Sequence, residues 1–193
     1  EIPLRTGSVV TTSPAHYRLS ANGYVTVEGY AGRFKAENNP TEINDMKSVI
    51  KPGTTSVTLT GKWGSKYNYK CTISIPTVSG NNSGTQLAAG ATHPITLTTN
   101  DSYDPALYMV SMTFAAKNNK ILAPAAFLNE DGTPADVEKY MMTDNTYIWH
   151  IQRTPGEKLT TATIKLRAPD NDEICIASMV IFDYRRGTFY PVN

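Results

Sequence analysis

Cysteine is nearly missing from this chain: Cys71 and Cys175 are the only two among 193 residues. Two cysteines cannot build the disulfide framework that staples small secreted domains, so a hydrophobic core must hold the fold. Each sits inside a strand-like pattern, Cys71 with Ile73 and Ile75, Cys175 between Ile174 and Ile176. They read as buried thiols acting as small hydrophobes, with a single bridge between two sheets as the alternative. Charge of one sign is also lacking. Eighteen Lys and Arg face 17 Asp and Glu, a net charge of +1, and Arg185-Arg186 is the only adjacent arginine pair. Without a clustered basic stripe no nucleic-acid partner is expected. No apolar run approaches the roughly 18 residues of a membrane-spanning helix.

Catalytic and metal motifs are missing as well. There is no Gly-x-Ser-x-Gly elbow, no phosphate-cradling glycine loop and no His-Glu-x-x-His. The three histidines, His16, His93 and His150, have no ligand spacing among them, which argues against zinc. His150 follows Trp149 with no nucleophile nearby in sequence, so it reads as a packed or surface histidine rather than a general base. The acids gather in turns, Glu130-Asp131 and Asp170, Asp172 and Glu173. Turn acids are usually solvated or capping. Oxygen ligation of a structural Ca²⁺ is the alternative, though neither cluster has a recognised loop spacing. No cofactor and no enzymatic activity are expected. The chain opens at Glu1 without methionine or signal peptide, which reads as a processed secreted chain or an excised fragment.

What is present is period-two alternation. Tyr67, Tyr69, Cys71, Ile73 and Ile75 share one face against Asn68, Lys70, Thr72 and Ser74. Ala162, Ile164, Leu166 and Ala168 oppose Thr161, Thr163, Lys165 and Arg167 in the same way. Such strands have one buried and one wet side. The segment after Glu173, Ile174 to Phe182, is almost wholly apolar or small, so both of its faces expect cover. Further strands are expected at 16–20, 23–30, 94–98, 106–115, 121–128 and 145–152. Gly, Pro, Asn and Asp turns separate them, at 21–23, 51–53, 79–84, 129–132, 154–156 and 169–172. The 79–84 stretch reads as a flexible loop. Two short helices are expected, one from the cap-like Thr133-Pro134-Ala135-Asp136 and one over 41–50. With no repeat and no linker, residues 1–193 read as a single all-β domain, an antiparallel β-sandwich with one or two short helices.

Aromatic residues supply the functional lead. Eleven tyrosines and two tryptophans outnumber five phenylalanines, and tyrosine suits surfaces that need an apolar face and a polar tip. Trp63, between Gly61 and Gly64, is placed where a turn could present its ring. Tyr103 lies among Asp101, Ser102 and Asp104, whose oxygens could bond hydroxyls. Trp63, Tyr103, Asp101 and Asp104 are therefore the candidate ligand-binding residues. Trp149, alternating with Tyr147 and Ile151, reads as core.

From Tyr103 onward the order of features resembles the jelly-roll carbohydrate-binding modules, including those of phage tail fibres. The segment Leu107-Tyr-Met-Val-Ser-Met-Thr-Phe-Ala-Ala-Lys117 resembles one of their common strands. It is followed by an acid-Gly turn (Asn129 to Gly132), a Trp-bearing strand (Tyr147 to Ile151) and two further strands (Ala162 to Ala168, Ile174 to Ile181). A closing Gly187-Thr-Phe-Tyr-Pro191 completes the pattern. The resemblance implies a non-enzymatic jelly roll that binds glycans or a cell-surface receptor through one sheet face or its end loops. Such a chain would be extracellular or part of a virion. A viral or phage structural protein, capsid or fibre, is the alternative, with a homo-oligomer such as a trimer as its signature. A hydrolase with a dispersed site around His150 ranks third.

Overall fold

The computed structural model describes residues 17–19, 23–27, 34–44, 46–63, 67–100, 103–156 and 158–193, without the side chains of 62, 63 and 67–69. Contacts group these residues into two compact units, 1–77 with 183–191 and 78–182 with 192–193.

The first unit opens with seven strands: β1 (Tyr17–Leu19), β2 (Tyr24–Val27), β3 (Phe34–Ala36), β4 (Thr41–Asn44), β5 (Lys47–Ile50), β6 (Ser56–Trp63) and β7 (Tyr67–Ser74). Strands β1, β2, β3, β6 and β7 form one antiparallel sheet in that order. Its alternation is the one legible in sequence. Val57, Leu59, Cys71, Ile73 and Ile75 are at most 3% exposed, while Ser56, Lys70 and Ser74 face water. Gly61 has a specific reason to be glycine: a Cβ there would lie 2.4 Å from Cδ1 of Phe34. The Phe34 ring occupies the space that a side chain on β6 would need.

The second unit holds β8 (Val78–Ser79), β9 (Gln86–Leu87), β10 (Thr92–Thr99), β11 (Tyr108–Phe114), β12 (Ala116–Lys117), β13 (Lys120–Ile121), β14 (Ala126–Leu128), β15 (Val137–Lys139), β16 (Thr146–Trp149), β17 (Thr161–Arg167) and, but for its last residue, β18 (Ile174–Asp183). One of its sheets runs β14-β17-β10-β8 and the other carries β15-β16-β11-β18, with β9 on β18. Successive strands pass from sheet to sheet, β10 to β11, β11 to β14, β16 to β17 and β17 to β18, as a sandwich requires. Rings seal the space between. Phe127 of β14 lies 6.2 Å from Phe114 of β11 and 5.0 Å from Tyr147 of β16, centroid to centroid. The all-β sandwich expected from sequence is the observed fold class, and Trp149 is core, 3% exposed.

Strand β18, expected to be covered on both faces, buries one face and leaves the other half-buried, with Ala177 exposed. Ile174 and Ile176 are buried, then Met179, Ile181 and Asp183. The buried phase slips by one residue across Ala177-Ser178. Strand β19 (Thr188–Pro191) belongs to the first unit, where it pairs with β5 in parallel, Phe189 opposite Val49. That pairing departs from the purely antiparallel expectation.

Both expected helices are corrected. Residues 41–50 form the hairpin β4–β5, with Met46 at φ 63° in its turn. Ten residues are marginal for a helix unless an apolar stripe docks. Here Val49 and Ile50 are buried whereas Ile43 and Met46 are 67% and 97% exposed. At 131–136 the capping oxygen is used otherwise. Thr133 donates both its N–H and its hydroxyl to Asp131 Oδ1, at 3.0 and 2.6 Å. Asp136 turns to Arg153, and Val137–Lys139 continue as strand. One 3₁₀ turn, Pro105–Leu107, is the helical element among the described residues. The 79–84 stretch, expected to be flexible, is tied down instead. Gly80 and Asn81 donate to the Asn193 carbonyl, and Asn82 bonds both the Gly80 carbonyl and His93 Nε2. Both cysteines are free thiols, Cys71 buried and Cys175 half-buried.

Candidate functional site

The sequence-derived candidates do not converge on one site. Trp63 closes β6 opposite Tyr67 of β7, and its side chain, like the whole of Asp101, falls outside the described residues. Tyr103 is 1% exposed and stacks on Tyr108 at 4.6 Å. A ring so covered offers no face to a sugar, so the expected stacking role is corrected to a core role. Asp104 caps the 3₁₀ turn, its Oδ1 accepting from the Ala106 N–H at 3.0 Å. The acid beside Tyr103 thus serves the backbone. Burial pushes the Tyr103 phenol up from its ordinary 10.0, and the neighbouring Asp104 carboxylate adds to the shift.

Three of the carboxylates weighed for Ca²⁺, Asp131, Asp172 and Glu173, have partners within the chain. Asp131 accepts from Thr133, whose hydroxyl and N–H hold its carboxyl below the ordinary range. Asp172 and Glu173 pair with Lys120 and Lys117. Among the described residues no group of three His, Cys, Asp or Glu could hold a metal ion, and no helix is long and apolar enough to cross a membrane.

The most distinctive surface lies on the β15–β16 hairpin. Strand β15 ends its sheet, paired to β16 from Val137↔Trp149 to Lys139↔Tyr147. The connection then projects Tyr140, Met141 and Met142, which are 45%, 95% and 81% exposed. Three consecutive large apolar residues facing water cost solvation that a lone exposed side chain would not. The stem beneath them is braced. Arg153 grips Asp136 through Nε and Nη2 at 2.5 and 2.9 Å, a two-pronged guanidinium–carboxylate bond. His150 Nε2 meets Glu138 Oε1 at 2.6 Å. The His150 N–H donates to the Asp136 carbonyl, and the Tyr140 N–H to the Thr146 carbonyl, both at 2.9 Å. The Arg153 guanidinium, foremost by its hydrogen bond, holds the Asp136 carboxyl below 3.8. His150, weighed in sequence as a packed or surface histidine against a general base, bonds Glu138 across the hairpin stem.

The sequence reading passed over this hairpin end. Met141-Met142 followed by Thr143-Asp144-Asn145 is an apolar pair set against turn residues, and that mismatch was the available signal. Comparison with known proteins adds no relative: no family model, no curated protein and no solved structure matches the chain.

Proposed function

We propose that this chain is a non-enzymatic binding module, extracellular or carried on a virion, that engages a cell-surface receptor through the β15–β16 hairpin end. The observation that carries the reading is the exposed run Tyr140-Met141-Met142 on a stem braced by paired charges. Methionine is flexible and polarizable and adapts to irregular protein surfaces; tyrosine adds a rigid amphipathic contact. A glycan would gain more from several aromatic faces and less from two thioethers, so a protein receptor fits this end better.

A structural role in a capsid or fibre is the second reading. It is favoured by a similar feature in the first unit, where the β4–β5 hairpin exposes Ile43 and Met46. A subunit joined head to tail in a ring or fibre presents two different contact patches. Light scattering on the wild type and on a variant with Tyr140, Met141 and Met142 all changed to Ser separates the two. A receptor-binding end leaves the mass in solution the same in both. An oligomer that dissociates in the variant would move the hairpin to self-assembly.

A further inference from the structure

The second unit contains a pocket of about 270 Å³ that the hairpin reading does not use. It lies beside the β12–β13 hairpin, whose turn residues Asn118 and Asn119 both take positive φ, 52° and 61°, as a tight two-residue connection requires. Two ion pairs fix that hairpin to the chain entering β18, Lys117 with Glu173 and Lys120 with Asp172.

The lining separates by chemistry. Leu122 and Ile174, 8% and 1% exposed, make an apolar floor, and Ala115 and the half-buried Cys175 continue it. Lys117 and Glu173 stand at the mouth, each about half exposed, with Gln86 beside them. No aromatic ring lines the cavity, so a sugar ring would find no stacking face. Nor does the mouth favour a ligand of one sign. Its one ammonium group, Lys117, is matched by its one carboxylate, Glu173, and the local field on a net charge largely cancels. A ligand carrying both signs gains from both. Its ammonium can meet Glu173 while its carboxylate meets Lys117, closing a ring of four alternating charges around the existing pair. The volume falls just short of the ~300–1,000 Å³ of sites for drug-sized molecules, which suits a single small body over the floor.

We infer that this pocket binds a small zwitterion with an apolar body, of the class of a free aliphatic α-amino acid. The site stands apart from the Tyr140–Met142 end and holds or fails without it.

The test is an amide-resolved NMR titration of the full chain with L-leucine. Isovalerate, isopentylamine and glucose are titrated alongside as single-charge and uncharged probes. The expected result is saturable shifts at Gln86, Ala116, Lys117, Glu173 and Cys175 with leucine, at about millimolar affinity. Each single-charge probe should bind about tenfold more weakly or worse, having lost one charge-assisted contact. Glu173→Gln should weaken leucine by a similar factor. A second readout needs no variant: leucine should slow alkylation of Cys175, with fully buried Cys71 as the unreactive internal control. Tyr140→Ser should leave both results unchanged. The inference is overturned by absent shifts at these amides, by equal affinity for isovalerate or isopentylamine, or by tighter binding of glucose.

Discussion

Asp183 is the most constrained charge among the described residues. It is 0% exposed at the end of an otherwise apolar strand. Its Oδ1 accepts from the N–H groups of Arg185 and Arg186 at 3.0 and 3.1 Å, and its Oδ2 from Arg186 Nη1 at 2.8 Å. The same guanidinium lies 4.5 Å from the centre of the Tyr17 ring. One carboxylate therefore shapes the turn into β19 and fixes the arginine that covers β1. Asp183→Ala strands that arginine and should cost about 3–5 kcal/mol in urea unfolding, as loss of one partner of a buried pair does. A loss under about 1 kcal/mol, the range of an exposed pair, would refute the assignment. Tyr103 makes a second residue-scale prediction. Its phenol titrates above 10.0 when folded, so the folded form keeps a proton that the unfolded chain releases. Its share of stability is intact below pH 10 and is lost as pH rises from there toward the folded value, by about 1.4 kcal/mol per pH unit. The Tyr103 hydroxyl is buried without a hydrogen-bond partner. Tyr103→Phe should therefore leave neutral-pH stability equal or higher and make the decline between pH 10 and 11 shallower. An unchanged alkaline slope in that variant would count against the buried-phenol account.

At the scale of elements, alternation was the legible part. The buried faces of β6, β7, β10 and β17 follow directly from spacing, because a half-buried strand writes its burial at every second residue. The helix expectations failed where short polar side chains bonded backward rather than forward. Thr133 bonds Asp131, two residues behind it, and no first helical turn closes. The β15–β16 hairpin end escaped notice for a related reason. Its brace joins residues 136 and 138 to 150 and 153, partners that only strand pairing brings together. That brace predicts a pH response. The Asp136 carboxyl titrates below 3.8 because Arg153 bonds its ionised form. Its contribution is present above the ordinary value and is lost as pH falls through the lowered one. Hydrogen-exchange protection of the Tyr140 and His150 amides should hold from neutral pH to about pH 4 and fall below it. Arg153→Ala should lower protection at neutral pH and remove that step. Protection independent of both pH and Arg153 would mean that the backbone bonds alone hold the stem.

At the scale of the whole molecule, the all-β class was readable because the period-two pattern and the turn residues agree along most of the chain. The grouping of residues into two compact units was not, because Pro76 and the Ser79-Gly84 stretch, which flank the passage at Thr77 and Val78, read equally well as a loop within one domain. The candidate site was missed for a physical reason. Tyrosines in acidic surroundings were taken as displayed, yet exposure depends on neighbours far away in sequence. Tyr103 is covered by Tyr108 and the core, whereas Tyr140, which has Glu138 and Asp144 on either side, is the exposed one. The central claim is that the Tyr140-Met141-Met142 end contacts a receptor. Its most direct test is to apply fluorescent wild-type chain and the Tyr140→Ser, Met141→Ser, Met142→Ser variant to one array of glycans and displayed cell-surface ectodomains. The account predicts wild-type binding to ectodomain spots that the variant loses, with both proteins melting alike. Binding that survives in the variant, or that falls on glycans alone, would contradict it.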